Sequence, residues 1–490
     1  MTSTPNVLLI FVDNQPASMM GCSGNTEIFT PNLDSLAEQG TRFSQAFCPN
    51  AMCSPCRASV LTGLTPSQHG IHTWIDDDKI DEWPQHWNAI AEFDSLPKRL
   101  SLSGYNTALI GKYHLGRADH PQNSFDEWVT MQTGHVLSFY DNKMIADGNQ
   151  FIYSGHSVDF FTQRAVEYIE RRCKKPEQPF FMFLTYPAPY GHWPSIQGEP
   201  NNKFSATYQK TPFNSVPREA ISKELLDWMT IRHEKMPADD AQFYNDLARL
   251  PNDLPTLRNY YSQMSLVDQG VGRVLDALER SNLSDETLII YTSDHGMSLG
   301  QHGFWGHGED TWPSNTHREA NHIPLIVKAP DSGRKRSVVD SLVGTTDIYA
   351  TILDYTVGQM PTAEQSPARS LRNLIESETA DWDDVVFMEQ EETRSIRTRE
   401  WLLMKRFGPT SYGFRNELYD LVADPDERNN LADDPDYDST LTALAKKIDA
   451  YFAQYSNEKW DLWNGGTVKS NSTRPFLWQE VWGDSWKPGY

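Results

Sequence analysis

Val7-Leu8-Leu9-Ile10-Phe11-Val12 is an unbroken apolar run that ends abruptly in Asp13-Asn14. A run this short, with no polar alternation, reads as a strand buried on both faces. Four more runs of the same kind follow at residues 107–110, 180–184, 288–291 and 323–327. Helical patterns separate them. Thr30-Pro31 opens residues 32–39 and Gly40 closes them, which supplies an N-cap, a first-turn proline and a stop. Residues 158–172 and 261–280 are longer amphipathic candidates. Strands alternating with helices predict an α/β fold built on a large, mainly parallel sheet with helices on its faces.

Outward from that frame the texture changes twice. Residues 195–255 are rich in Pro, Asn and charge and read as an insertion over one end of the sheet. Near residue 380 the pattern shifts to short antiparallel strands at 385–389, 395–406 and 417–421, then a helix at 439–455. This divides the chain into a large N-terminal domain, 1–380, and a C-terminal subdomain, 381–490. The tail carries Trp463, Trp478, Trp482 and Trp486, too much aromatic surface to leave in water. It is expected to pack on the body or against another subunit, as in a homo-oligomer.

A formal charge of −23 opposes binding to nucleic acid or to an anionic membrane. An anionic substrate therefore needs a locally positive pocket. No run approaches the roughly 20 apolar residues of a membrane span. No cationic, apolar leader opens the chain, so the expected location is cytoplasmic. Cys22, Cys48, Cys53, Cys56 and Cys173 are an odd, uneven set, unlike a disulfide framework.

Reactive groups gather where the apolar runs end: Asp13-Asn14, then Gly111-Lys112-Tyr113-His114, then Asp294-His295-Gly296. Ligands of open α/β sheets bind at the carboxyl ends of strands, so these loops should converge. Any one of them alone reads as a polar cap on a strand. Together, the oxygen donors of Asp13, Asn14 and Asp294 suit a hard cation such as Ca²⁺ better than zinc.

Cys53-Ser54-Pro55-Cys56-Arg57-Ala58-Ser59-Val60-Leu61-Thr62-Gly63 is the most informative stretch. Cys48, Cys53 and Cys56 match three ligands of a plant-type iron–sulfur loop, but the next cysteine is the distant Cys173. The alternative is a cysteine-containing turn with no modification. The segment resembles the sulfatase family of the alkaline-phosphatase-like superfamily, whose signature is Cys-x-Pro-x-Arg followed by Thr-Gly. The resemblance continues in order through Asp13-Asn14, residues 30–37, Gly111-Lys112-Tyr113-His114-Leu115-Gly116, Asp294-His295-Gly296 with 299–303, and Glu417-Leu418-Tyr419-Asp420-Leu421.

That resemblance implies an α/β sandwich with a small C-terminal antiparallel sheet and one helix. It also implies hydrolysis of a sulfate ester of a small molecule or glycan. Cys53 would be converted to formylglycine (3-oxoalanine) by a formylglycine-generating enzyme. The hydrated aldehyde offers two hydroxyls, one to attack sulfur and one to expel sulfate later. One calcium per subunit would be held by Asp13, Asn14, residue 53, Asp294 and His295. Arg57 and Lys112 would supply charge, His114 would take a proton, and His192 or His307 would protonate the leaving alcohol.

Two positions depart from the pattern. The family's Pro-His-x-Pro is here Pro187-Ala188-Pro189-Tyr190-Gly191-His192-Trp193-Pro194, so His192 or Tyr190 takes the histidine's place. His307 stands where the family has a substrate-contacting lysine. These departures leave open a phosphonate monoester or phosphodiester hydrolase with the same apparatus, and a non-catalytic binding protein on this fold. Trp74, Tyr190 and His302 are candidate substrate contacts. Asp76-Asp77-Asp78 reads as a pocket wall or a solvated loop. The histidines of 295–322 lack metalloprotease spacing and read as structural or pocket-lining more than as a zinc site.

Overall fold

The computed structural model describes residues 4–75, 82–196, 202–235, 247, 249–330, 337–377, 381–472 and 474–489. The acidic triplet Asp76–Asp78 lies outside them.

Among the described residues, twelve strands make up the N-terminal body: β1 Asn6–Asp13, β2 Thr41–Phe47, β3 Asn106–Gly111, β4 Glu127–Met131, β5 Asn142–Ala146, β6 Asn149–Tyr153, β7 Phe180–Pro189, β8 Thr287–Ser293, β9 Ser298–Leu299, β10 Trp305–Gly306, β11 His322–Lys328 and β12 Ser337–Gly344. Ten of them form one sheet in the order β12-β2-β11-β8-β1-β7-β3-β4-β5-β6, and β9 pairs with β10 alone. β1 lies at the centre, parallel to β7 on one side and β8 on the other, and β3 extends the parallel block beyond β7. The apolar runs read from the sequence are β1, β3, β7, β8 and β11. β11 runs antiparallel to both β8 and β2, so the sheet is mixed, with a parallel heart.

Strand pleating divides the core between two faces. Leu8, Ile10 and Val12 of β1 pack with helices Pro31–Gln39, Ser157–Arg172 and Leu254–Arg280. Val7, Leu9 and Phe11 face the other way, against helices Cys53–Thr62, Leu96–Leu102 and Thr345–Thr356. The start of helix Pro31–Gln39 is held differently from its sequence signal. Thr30 makes no side-chain cap, and its hydroxyl accepts from Gly21 N–H instead. The Asp268 carboxylate takes the Asn32 and Leu33 amides, at 3.0 and 2.8 Å.

The C-terminal sheet is antiparallel: β13 Val386–Gln390, β14 Thr393–Arg397, β15 Trp401–Arg406 and β16 Glu417–Asp420. The run 395–406, read as one strand, is two. Thr398 Oγ1 accepts from Glu400 and Trp401 N–H and turns the chain between them. Helix Asp438–Tyr455 lays Leu444, Ile448 and Phe452 on one face of this sheet, while the other face meets Phe47 and Leu342 of the body. The aromatic tail folds back: Trp478 and Trp486 are buried with Phe407, Leu462 and Leu477. Among the described residues no helix is long and apolar enough to cross a membrane.

His156 links the core to pH. Its Nδ1 accepts from Val158 N–H at the start of helix Ser157–Arg172, while Nε2 meets Gln263 Oε1 at 2.9 Å. Burial pushes its pKa down to about 4, with Gln263 opposing. Above the unfolded value of about 6.5, neither state binds the proton and the contribution is intact. Between about 6.5 and 4 the unfolded chain binds it first, at an expected cost of about 3 kcal/mol. Melting curves across that window should fall less steeply for His156→Asn, which keeps a capping acceptor without titrating.

Candidate active site

The carboxyl ends of the parallel strands deliver the polar groups to one place. β1 ends in Asp13, whose carbonyl accepts from Tyr190 N–H, and Asp294 N–H donates to the Val12 carbonyl. β3 ends at Gly111, at φ +129°, where an added Cβ would sit 1.8 Å from the Thr185 carbonyl oxygen. Only glycine lets the chain pass there and send Lys112 inward.

Cys53 is the first residue of a fully buried helix that ends at Gly63, in the left-handed region. Its Sγ lies 3.5 Å from Asp13 Oδ1 and 3.7 Å from His295 Nε2. One turn on, Arg57 reaches back between the carboxylates, 3.4 Å from Asp13 and 3.1 Å from Asp294, and donates to the Lys112 carbonyl at 2.8 Å. Lys112 Nζ meets Asp13 Oδ2 at 2.6 Å. All these side chains are buried.

Burial favours a protonated Asp13, yet Lys112 and Arg57 hold its carboxyl well below the usual range. Asp294 is raised, by burial and then by the neighbouring Asp13 charge. Burial and Asp13 also push the Cys53 thiol well above its ordinary value, so unmodified it is a neutral thiol and a poor nucleophile. Two carboxylates balance two cations here. Net positive charge for an anion must come from elsewhere.

Asp13, Cys53, Asp294 and His295 each bring a donor atom within 4.8 Å of the others. Asn14 Oδ1 is buried and accepts no hydrogen bond, while the Asn14 backbone N–H donates to Asp294 Oδ1 at 3.1 Å. An orphaned amide oxygen beside two carboxylates, one of them under-compensated, fits a hard divalent cation.

A second group abuts the first. His307 contacts His295 and His192, with ring centroids 4.8 and 4.7 Å apart. Asp310 Oδ2 lies 3.4 Å from His192 Nε2 and 3.3 Å from His307 Nδ1. Burial pushes the His307 pKa down against the pull of Asp310, and Asp310 is held low by the two imidazoles despite its burial. Asp310 went unmarked in the sequence. Its one signal was the spacing of three from His307.

The structure therefore gathers Asp13, Asn14, Cys53, Arg57, Lys112, Asp294 and His295, with His192 and His307 alongside. Tyr190 joins them, its ring 5.0 Å from Lys112 Nζ. His114 lies nearby in the chain, its Nε2 3.0 Å from the Ile75 carbonyl and its ring against His135, which also meets Trp74. His302 goes elsewhere. It stacks on His317 beside Glu427. Arg397 at 2.6 Å already neutralises Glu427, and Arg428 crowds His302 at 2.7 Å, so this group is an ion-pair network rather than a zinc site.

The model of the Sulfatase family matches residues 5–358, and that of the N-sulphoglucosamine sulphohydrolase C-terminal region matches residues 308–454. The chain is similar to N-acetylglucosamine-6-O-sulfatase of Bacteroides thetaiotaomicron, 26% identical over 93% of this chain and 88% of that protein. A protein solved in complex with its substrate D-glucosamine-2-N,6-O-disulfate superposes with a TM-score of 0.70 at 26% identity, covering 92% of this chain and 98% of the other. The phosphonate monoester hydrolase of Agrobacterium radiobacter shares the fold, with a TM-score of 0.66 at 20% identity over 93% and 96% of the two chains.

Proposed function

The chain belongs to the sulfatase family, and from that premise we propose that it removes sulfate from a sulfated glycan of the glucosamine-sulfate class, using residue 53 as hydrated formylglycine. The carrying observation is the buried convergence of Cys53 with Asp13, His295, Arg57 and Lys112. A neutral, buried thiol in that setting has little use as a nucleophile. Hydrated formylglycine at this position would supply two hydroxyls, one to attack sulfur and one to release sulfate. Calcium, held by Asp13, Asn14, residue 53, Asp294 and His295, would supply a Lewis acid and the missing positive charge.

The chain's own residues do the rest. Arg57 and Lys112 fix the Asp13 and Asp294 carboxylates and offset charge on the transferred group. One of His192 and His307 protonates the leaving alcohol, and His114 accepts a proton from the second hydroxyl. Tyr190 and Trp74 contact the sugar. His302 has no part in this reading. Cys53 is only 3% exposed, so the converting enzyme must meet its segment before the chain folds.

The rival reading is a phosphonate monoester hydrolase, favoured by His307 standing where a lysine is expected. The test is the ratio of kcat/KM for 4-nitrophenyl sulfate to that for a 4-nitrophenyl phosphonate monoester. The protein used should have lost the sulfur of residue 53, as checked by mass spectrometry. A preference for sulfate of about 100-fold or more is expected. A preference for phosphonate moves the assignment to the rival.

A further inference from the structure

Asp310 presents one oxygen to both leaving-side histidines, yet residues 307–317 contain no helix or strand to hold it there. A local turn ties it to His307, whose N–H donates to Asp310 Oδ2 at 2.6 Å and whose carbonyl accepts from Asp310 N–H at 3.2 Å, and guanidinium groups hold the carbonyls around it. Arg474, from the aromatic tail, donates through Nη2 to the carbonyls of Glu309 at 3.1 Å and Thr311 at 2.8 Å. Arg232, from helix Lys223–His233 in the inserted region, donates through Nη1 to those of Glu309 at 3.0 Å and Asp310 at 3.3 Å. Both arginines are 0% exposed. Glu392, at the β13–β14 turn, ties the Arg474 Nε at 3.0 Å and takes the Ser314 N–H at 2.7 Å.

Three consecutive carbonyls, those flanking and including Asp310, are thus set by two buried cations from segments remote in sequence. Burying a guanidinium is costly, and neutral donors could satisfy a loop that only needed to pack. What the guanidinium adds is one in-plane Nη2 that reaches two carbonyls two residues apart, while its Nε, paired with Glu392, fixes the plane.

We propose that Arg474, assisted by Arg232, is a positioning residue of the reaction: it places Asp310, and through Asp310 the His192–His307 pair. The aromatic tail is then part of the assembled active site. The inference rests on the reading above, in which one of these histidines protonates the leaving alcohol.

The test compares Arg474→Ala, Arg474→Lys, His192→Ala and His307→Ala with the native, Cys53-converted enzyme. The substrates are 4-nitrophenyl sulfate, whose leaving group needs little protonation, and glucosamine 6-sulfate, whose leaving group needs it. A loop shift approaching 1 Å lowers rate by about 100-fold, so kcat of Arg474→Ala on the sugar sulfate should fall by about that factor, with KM little changed. The aryl sulfate should lose much less, and millimolar guanidinium should restore part of the sugar-sulfate rate. Arg474→Lys keeps the buried charge but loses the plane that the Nε–Glu392 pair fixes. If Arg474→Ala does not fold, the lysine variant must show the same substrate-selective loss. Equal losses on both substrates, or a change in KM alone, overturn the positioning role where either histidine variant is itself selective. If neither His192→Ala nor His307→Ala is selective, the leaving-side reading falls and the inference with it.

Discussion

Cys53→Ala should lower kcat/KM by a factor on the order of 10⁵ to 10⁶, the scale at which a nucleophile's removal leaves only binding and electrostatics. The loss should come without unfolding. Cys53 sits at the start of a helix closed at Gly63 and surrounded by buried partners, and a small side chain there leaves those contacts standing. Cys53→Ser separates the two-hydroxyl reading from a simpler one. Serine offers one hydroxyl, enough to attack sulfur but not to expel sulfate afterwards. Its expected behaviour is a burst of alcohol up to one equivalent of enzyme, followed by arrest. Steady turnover by Cys53→Ala, or sustained turnover by Cys53→Ser, would sink the assignment of residue 53.

The elements that carry this prediction were the ones the sequence exposed best, for a physical reason. β1, β3 and β8 are buried on both faces, so their composition cannot alternate and their polar ends stand out. Asp13, Lys112 and Asp294 could therefore be placed together without knowing the sheet order. Asp310 could not, because what defines it is His192 on a distant loop. His302 misled by type, since a histidine within a histidine-rich run looks like its neighbours until Arg397 and Arg428 are seen around its cluster. The Thr30 cap misled by proximity: the carboxylate that holds that helix comes from Asp268, far along the chain. The hairpin within 395–406 turns on a threonine hydroxyl, a local bond that apolar patterning does not register. The tail's tryptophans announced burial, and the arginine between them announced nothing.

Arg57→Ala should show the second large effect, in stability before activity. The guanidinium lies between Asp13 and Asp294, both fully buried, and its removal leaves Lys112 as the remaining cation against the pair. Breaking a buried ionic network in this way costs about 3–5 kcal/mol, and the lost charge stabilisation should lower kcat by about 10³. Calcium makes the prediction specific. A divalent ion held by Asp13, Asn14 and Asp294 would compensate the charge that Arg57 no longer offsets, so the variant should gain more from it than the native protein does. At about 100 times its dissociation constant, a bound ion adds about 2.7 kcal/mol. The gap in unfolding free energy between native and Arg57→Ala protein should therefore be widest in chelator and narrow as calcium rises. Magnesium, which demands tighter octahedral geometry, should narrow it less. A gap that ignores calcium throughout would mean that the two carboxylates and the orphaned Asn14 oxygen are not a cation site.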